Sequence, residues 1–327
     1  METLESKYST WYEPLNQKQI EKHKSIEKLI LSVNKDLKEE VKRSYKKNNI
    51  KIRKVLSEKT GFSLHYKSFE QGNFMDINEK VSIPIKVVDS VPKKFLDILE
   101  NCDDQLLELL LKYNSMVTTL NELKFQKDKY HSFSKYHDGK CEPEEIQSTI
   151  IHLKKLINAV DSSGIIEKLK RLGPAGFGAY YFYERRVELY WLSIGMYSLI
   201  YNTPIDDLTI VVLTHELAHG YSHVGFDIDG NDWDTHAFSK TDLKIVEGIA
   251  QFYTEMICND YFEGASSTFK NLLEKQEIQY CDYKNWFETH EENKYEKMRS
   301  TIRKVRNHKI IDYGHFNEIL DRIKRDS

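Results

Sequence analysis

Residues 211–226 read VVLTHELAHGYSHVGF, an apolar run carrying three histidines at four-residue intervals and a glutamate directly after the first. Upstream, NTPIDDL predicts a helix start, with Thr203 as N-cap, Pro204 at the first helical position and Asp206 and Asp207 in the first turn, where the dipole favours acids. The helix is expected over about 204–223. Val211, Val212, Leu217 and Ala218 surround the first histidine pair, so the helix has little polar face to give to water. It belongs in a core, and His215, Glu216 and His219 enter the core with it. Buried polar groups cost free energy unless partners satisfy them. Any fold for this chain must supply those partners.

On a helix, His215 and His219 lie about 6 Å apart along the axis and project from one face. Two imidazoles at that spacing can close on one zinc ion, and the string His-Glu-Leu-Ala-His fits the H-E-x-x-H motif. Glu216 is turned by one residue step, beside the ion rather than on it. Catalytic zinc takes three protein ligands and keeps a position open. His223 is a poor third, because a continuous helix sets it about 12 Å along the axis from His215; it is expected to line the cleft or cap the helix end, ligating only if the helix breaks at Gly220. The better third ligand lies in KTDLKIVEGIAQFYTEMI, a second helix expected over about 241–258. Leu243, Val246, Ala250, Tyr253 and Ile257 form its apolar stripe, and Glu247 falls on that stripe. A core-facing carboxylate needs a metal or a buried arginine. Gln251 and Glu255, one and two turns on, are candidate partners for the ligand histidines.

HELAH followed by VEGIAQFYTE resembles the gluzincin class of zinc metallopeptidases, in which a glutamate from a second helix completes H-E-x-x-H. The likeness covers roughly residues 175–260. The distance to the glutamate is similar to the thimet-type oligopeptidases; the further histidine and the small and aromatic residues after the glutamate are similar to ImmA/IrrE-type peptidases. The resemblance implies a zincin-like domain, one Zn2+ per chain on His215, His219 and Glu247, Glu216 as general base, and a peptide or protein substrate. A second donor to the oxyanion is expected from Tyr313 or His315 in DYGHF, with Tyr283 and His290 nearly as good. The competing reading is a regulatory or interaction protein whose metal site is structural; a hydrolase of non-peptide bonds is a third.

The rest of the chain sets the frame. Its 327 residues are enough for one large domain or two ordinary ones. A balance of 48 basic against 51 acidic residues, net charge -3, gives no global field toward nucleic acid or anionic lipid. No apolar run reaches a membrane span, and the first residues carry no secretory signal pattern. Cys102, Cys141, Cys258 and Cys281 are scattered without a C-x-x-C pair, which suits a reducing compartment, so a cytoplasmic protein is expected.

The expected fold is mainly α with a small β-sheet, an α+β arrangement: a helical region over 1–135, then the metallopeptidase domain over 136–327. From Gln17 to about Tyr45, apolar residues recur at helical spacing. A helix from Pro92 to about Phe125 carries a heptad seam, Leu99, Cys102, Leu106, Leu109, Tyr113, Met116, Leu120 and Leu123. That seam favours an intramolecular hairpin, with self-association or a helical partner through 92–125 as the other outcome. Residues 131–145 look like a linker, and a third helix is expected from Pro143 to Val160. AYYFYERRVELYWLSI, residues 179–194, predicts a bent strand or a hairpin turning near Glu184 to Arg186. FDIDGNDWDTH, residues 226–236, reads as a polar loop, one of whose aspartates could orient a ligand histidine.

Overall fold

The computed structural model describes residues 2–6, 14–68, 77–134, 143–173, 176–274, 276, 280–288, 290–308 and 311–326. The chain is mainly helical with small sheets. The N-terminal half holds α1 (Gln17–Val33), α2 (Leu37–Thr60), β1 (His65–Ser68), β2 (Ile77–Lys80), β3 (Ile85–Val88), α3 (Lys93–Leu99), α4 (Asp104–Ser134), α5 (Pro143–Ser162) and α6 (Ile165–Lys170). There follow β4 (Gly178–Tyr181), β5 (Arg186–Tyr190), α7 (Trp191–Tyr201), α8 (Ile205–Val224), α9 (Thr235–Lys240) and α10 (Leu243–Tyr261). The chain closes with α11 (Glu263–Leu273), a 3-10 turn (Asp282–Asn285), α12 (Lys294–Arg306) and α13 (Tyr313–Asp326).

The helix α8 is the axis of the molecule. Every residue from Leu208 to Val224 is buried, as an all-round apolar helix requires. It packs against α2 and α10, with α11, β4 and β5 completing its surroundings. The helix starts one residue later than the capping pattern predicts. Pro204 is the N-cap and makes no side-chain cap bond, while the carbonyl of Thr203 accepts from the Ser198 hydroxyl at 2.6 Å. Its C-terminal end is held by Arg306 of α12, a buried guanidinium donating to the carbonyls of Tyr221, Ser222 and Gly225 and stacked 3.9 Å from the Phe62 ring. The Tyr221 carbonyl also accepts from the Gly225 amide at 3.2 Å; carbonyls at a helix end lack the full set of intrahelical partners, and a cation at the negative end of the dipole answers them. Burial lowers the Arg306 pKa to about 10.

Three strands lie in the order β3-β5-β4, with β3 parallel and β4 antiparallel to β5; β1 and β2 pair separately. The hairpin β4–β5 turns through 182–185, where Arg185 takes φ 52. The expected strand over 191–194 is instead the start of α7: Trp191, Leu192 and Ile194 are buried there at 0–1 % exposure. Aromatic density does not separate a strand from a wholly buried helix. Pro84 precedes the edge strand β3, and its carbonyl accepts from the Val187 amide at 2.9 Å, in keeping with proline's place at sheet edges.

The packing does not divide at residue 135. Ile26, Ile30, Val41, Ile52, Leu96 and Leu110 belong to the same hydrophobic cluster as Val212, Leu217, Ala250 and Ile302. A separate small cluster, Met116, Leu120, Ile150 and Ile157, joins the distal part of α4 to α5. That pairing is the intramolecular hairpin the heptad seam favours. The seam does not lie on one helix, however: α3 ends at Leu99, and α4 begins at Asp104, with the Leu106 amide donating to Asp103 Oδ1 at 2.7 Å. Aspartate at an N-cap starts a new helix where the apolar pattern runs on. At its other end α4 continues to Ser134, into the expected linker, of which 135–142 lie outside the described residues. No helix among the described residues is long and apolar enough to cross a membrane.

Candidate metal centre

The helices α8 and α10 cross so that His215, His219 and Glu247 converge. The three are 1 %, 4 % and 2 % exposed. His215 Nε2 lies 3.2 Å from His219 Nε2 and 3.2 Å from Glu247 Oε2, and His219 Nε2 lies 3.7 Å from the same oxygen. The imidazole planes stand at 87° to each other, and the ligand atoms of the three residues all lie within 4.8 Å of one another. Zinc bonds of about 2.0–2.1 Å at tetrahedral angles set ligand atoms about 3.3–3.4 Å apart. The observed spacing therefore fits one ion of that size, and nitrogen with carboxylate oxygen is a donor set that zinc accepts. Among the described residues these three form the one such group of histidine, cysteine and acidic side chains.

Glu216, 2 % exposed, is on the β4 side of this group. A Cβ at Gly178 would come within 3.0 Å of Glu216 Cγ and 2.6 Å of Val212 Cγ1. Glycine there lets β4 lie directly on the helix face that carries the carboxylate. Gly220, further along, admits Tyr180 and Ile83 in the same way. On α10, Asp242 caps the helix by accepting from the Lys244 amide at 3.0 Å. Gly248, next to Glu247, makes room for the Trp286 indole.

His223 is not in the cluster. The helix α8 runs unbroken past Gly220 to Val224, so the third histidine stays two turns from the first. Its Nδ1 meets the Tyr180 hydroxyl at 2.9 Å, its Nε2 meets Thr235 Oγ1 at 3.1 Å, and its ring stacks on Phe238 at 4.4 Å. It is a fully buried core histidine rather than a residue of the cleft. Burial, reinforced by the charges of Arg185 and Arg306, lowers its pKa to about 3.

Other expected partners go elsewhere. Gln251 is buried and donates to Gln276 Oε1 at 2.9 Å, not to a ligand imidazole. Glu255 accepts from the Tyr283 hydroxyl at 2.8 Å, which also engages Tyr283. The Tyr313 hydroxyl accepts from the Trp286 indole at 3.2 Å; His315 lies against His308 near the surface, and His290 is exposed. Both tyrosine hydroxyls thus have partners outside the His-His-Glu group, Glu255 for Tyr283 and Trp286 for Tyr313. In the 226–236 loop, Asp227 accepts from the amides of Asp229 and Asn231, Asp229 pairs with Arg303, and Asp234 caps α9. The loop is held by its own backbone and by Arg303. His223 is oriented by the hydroxyls of Tyr180 and, from this segment, Thr235.

Gly178, Tyr180, Thr235 and Arg306 carry parts of this architecture that the sequence reading did not single out. Gly178 had a signal, a glycine opening an aromatic strand pattern. Arg306 had none, because one arginine in a charged C-terminal helix looks like any other. Comparison of the chain with family models, with curated proteins and with solved structures finds no match.

Proposed function

We propose that the chain is a zinc-dependent peptidase with a zincin-like site, His215, His219 and Glu247 holding the ion and Glu216 serving as general base. The observation that carries this reading is the tetrahedral spacing of three ligand atoms with a further carboxylate beside them on the same buried helix. A structural zinc site closes with four protein ligands; three ligands plus Glu216 is the composition of a catalytic one. Zinc bound here would polarise a scissile carbonyl and acidify the attacking water. Glu216 takes the proton from that water and returns it to the leaving amine. Gly178 keeps β4 against Glu216, and β4 ends the three-stranded sheet, so an extended peptide has a main-chain line to align with. Cys102, Cys258 and Cys281 are free thiols, which supports a cytoplasmic setting.

A second reading has one observation in its favour. The four site residues are 1–4 % exposed, as suits an ion that holds α8 to α10 and does no chemistry. One experiment separates the two. Elemental analysis and hydrolysis of a peptide library are run on wild type, Glu216→Gln and Glu247→Ala. The peptidase reading expects about one zinc per chain in wild type and Glu216→Gln, less in Glu247→Ala, and hydrolysis roughly 10²–10⁴-fold slower in Glu216→Gln. Full hydrolysis in Glu216→Gln removes the general base, and no zinc after reconstitution removes the site. Zinc without hydrolysis of any library member leaves the structural reading standing.

A further inference from the structure

Tyr221 stands two residues past His219, about 200° round α8 and so on the opposite face. There a cavity of about 420 Å³ opens between α2 and the segments 63–65 and 80–83, within the size range of small-molecule sites. Among the described residues its lining includes Arg53, Lys54, His65 and Lys80 and no carboxylate. Arg53 is the deep member. It donates from Nε to Asn49 Oδ1 at 2.7 Å and from Nη2 to the Ile83 carbonyl at 2.5 Å, and the Tyr221 hydroxyl is a further partner, which does not exhaust its five N–H groups. Among the described residues no Asp or Glu pairs with Arg53 or with Lys80, and Lys54 reaches Glu58 only at 3.9 Å on the exposed surface.

A cation taken out of water without a counter-charge is costly. Burial lowers the Arg53 pKa, which is the mark of that cost. Elsewhere this protein answers its buried guanidinium differently: Arg306 is saturated by helix-end carbonyls. Arg53 instead lines a cavity, together with two exposed lysines, Lys54 and Lys80. The rest of the lining joins Leu64, Val81, Ile83 and the Tyr221 ring, which supply apolar surface, to the small polar side chains of Ser57, Ser63 and Ser82. Basic groups and apolar surface in one cavity ask for a ligand with an anionic head and a carbon body. Three cations suit a phosphoryl group of charge about −1.5 to −2 better than one carboxylate.

We propose that this cavity binds a small organic phosphate, its phosphoryl group held by Arg53, Lys54 and Lys80 and its body lying on Leu64, Val81 and Tyr221. The site is independent of the metal centre and of the peptidase reading.

The test is calorimetric titration of the full chain, chelator-treated and untreated, with AMP, glucose 6-phosphate and O-phosphoserine. Adenosine, glucose and citrate serve as controls. The expected result is one ligand per chain for at least one organic phosphate, unaffected by the chelator and weakened by added salt. Its uncharged counterpart and citrate should bind at least tenfold more weakly. Lys54→Gln/Lys80→Gln changes two exposed side chains without touching the core, and should weaken binding at least tenfold while the circular dichroism spectrum stays the same. No binding by any of the three phosphates overturns the proposal. So does binding that survives intact in the double variant, binding lost on chelation, or citrate binding as tightly as the phosphates.

Discussion

His219 and His223 stand one turn apart on the same buried helix, and they have opposite surroundings. His219 turns its Nε2 toward another imidazole and a carboxylate, 3.2 Å and 3.7 Å away. His223 turns both nitrogens to hydroxyls and lies flat on Phe238. What separates them is the partner element. At His219 the neighbour is α10, which brings Glu247; at His223 the neighbours are β4 and α9, which bring Tyr180 and Thr235. A histidine's spacing on its own helix says where it points. The element across from it decides what it does.

The sharpest way to break the comparison is to remove each histidine in turn. His219→Ala should weaken zinc binding by roughly 100-fold or more, since even indirect supports of metal ligands are worth 10–100-fold. His223→Ala should leave zinc affinity within about twofold, measured by competition with a fluorescent chelator. Equal losses in the two variants would erase the distinction. Stability should then show the converse for His223. Its removal leaves a cavity and strands the Tyr180 hydroxyl, costing roughly 3 kcal/mol in urea denaturation; a loss below about 1 kcal/mol would mean that the site collapses without strain.

Acid offers a gentler probe. The folded-state pKa of His223 is about 3, below the ordinary value near 6.5, so the native state stays neutral while the unfolded chain takes up a proton. Its contribution is complete above pH 6.5 and falls as pH drops from 6.5 toward about 3, by roughly 1.4 kcal/mol per unit. Comparing wild type with His223→Gln should expose a difference of about 2–3 kcal/mol between pH 7 and pH 4.5, and parallel pH profiles would count against a neutral buried imidazole. The smallest effect belongs to Thr235→Val, which deprives His223 Nε2 of its hydroxyl. About 1 kcal/mol should be lost with zinc content unchanged.

The same contrast marks what the sequence made legible. The four-residue spacing on α8 and the stripe position of Glu247 are local properties, so the helices and the faces that meet could be read from residue order. The hairpin of β4 with β5 and the pairing of α4 with α5 were legible for the same reason. Long-range choices were not. Nothing in Leu37–Thr60 announces that this lysine-rich helix packs on α8, or that β3 joins the sheet of β5 across a hundred residues. The break before Asp104 was hidden because the apolar repeat continues through it. Tyr283, Tyr313, Gln251 and Glu255 were reasonable candidates by residue type, yet each meets a partner recruited from another element.

The near-complete burial of the His-His-Glu group has a kinetic meaning. With these side chains 1–4 % exposed, a bulky chelator would reach the ligand side of an ion held among them only during openings of the surrounding structure, even where the ion's remaining position is open to water. Metal exchange would then be timed by the protein. Above a threshold concentration, a strong chelator would strip the ion at one fixed rate however much more is added, and that rate would equal the frequency with which α8 and α10 are uncovered.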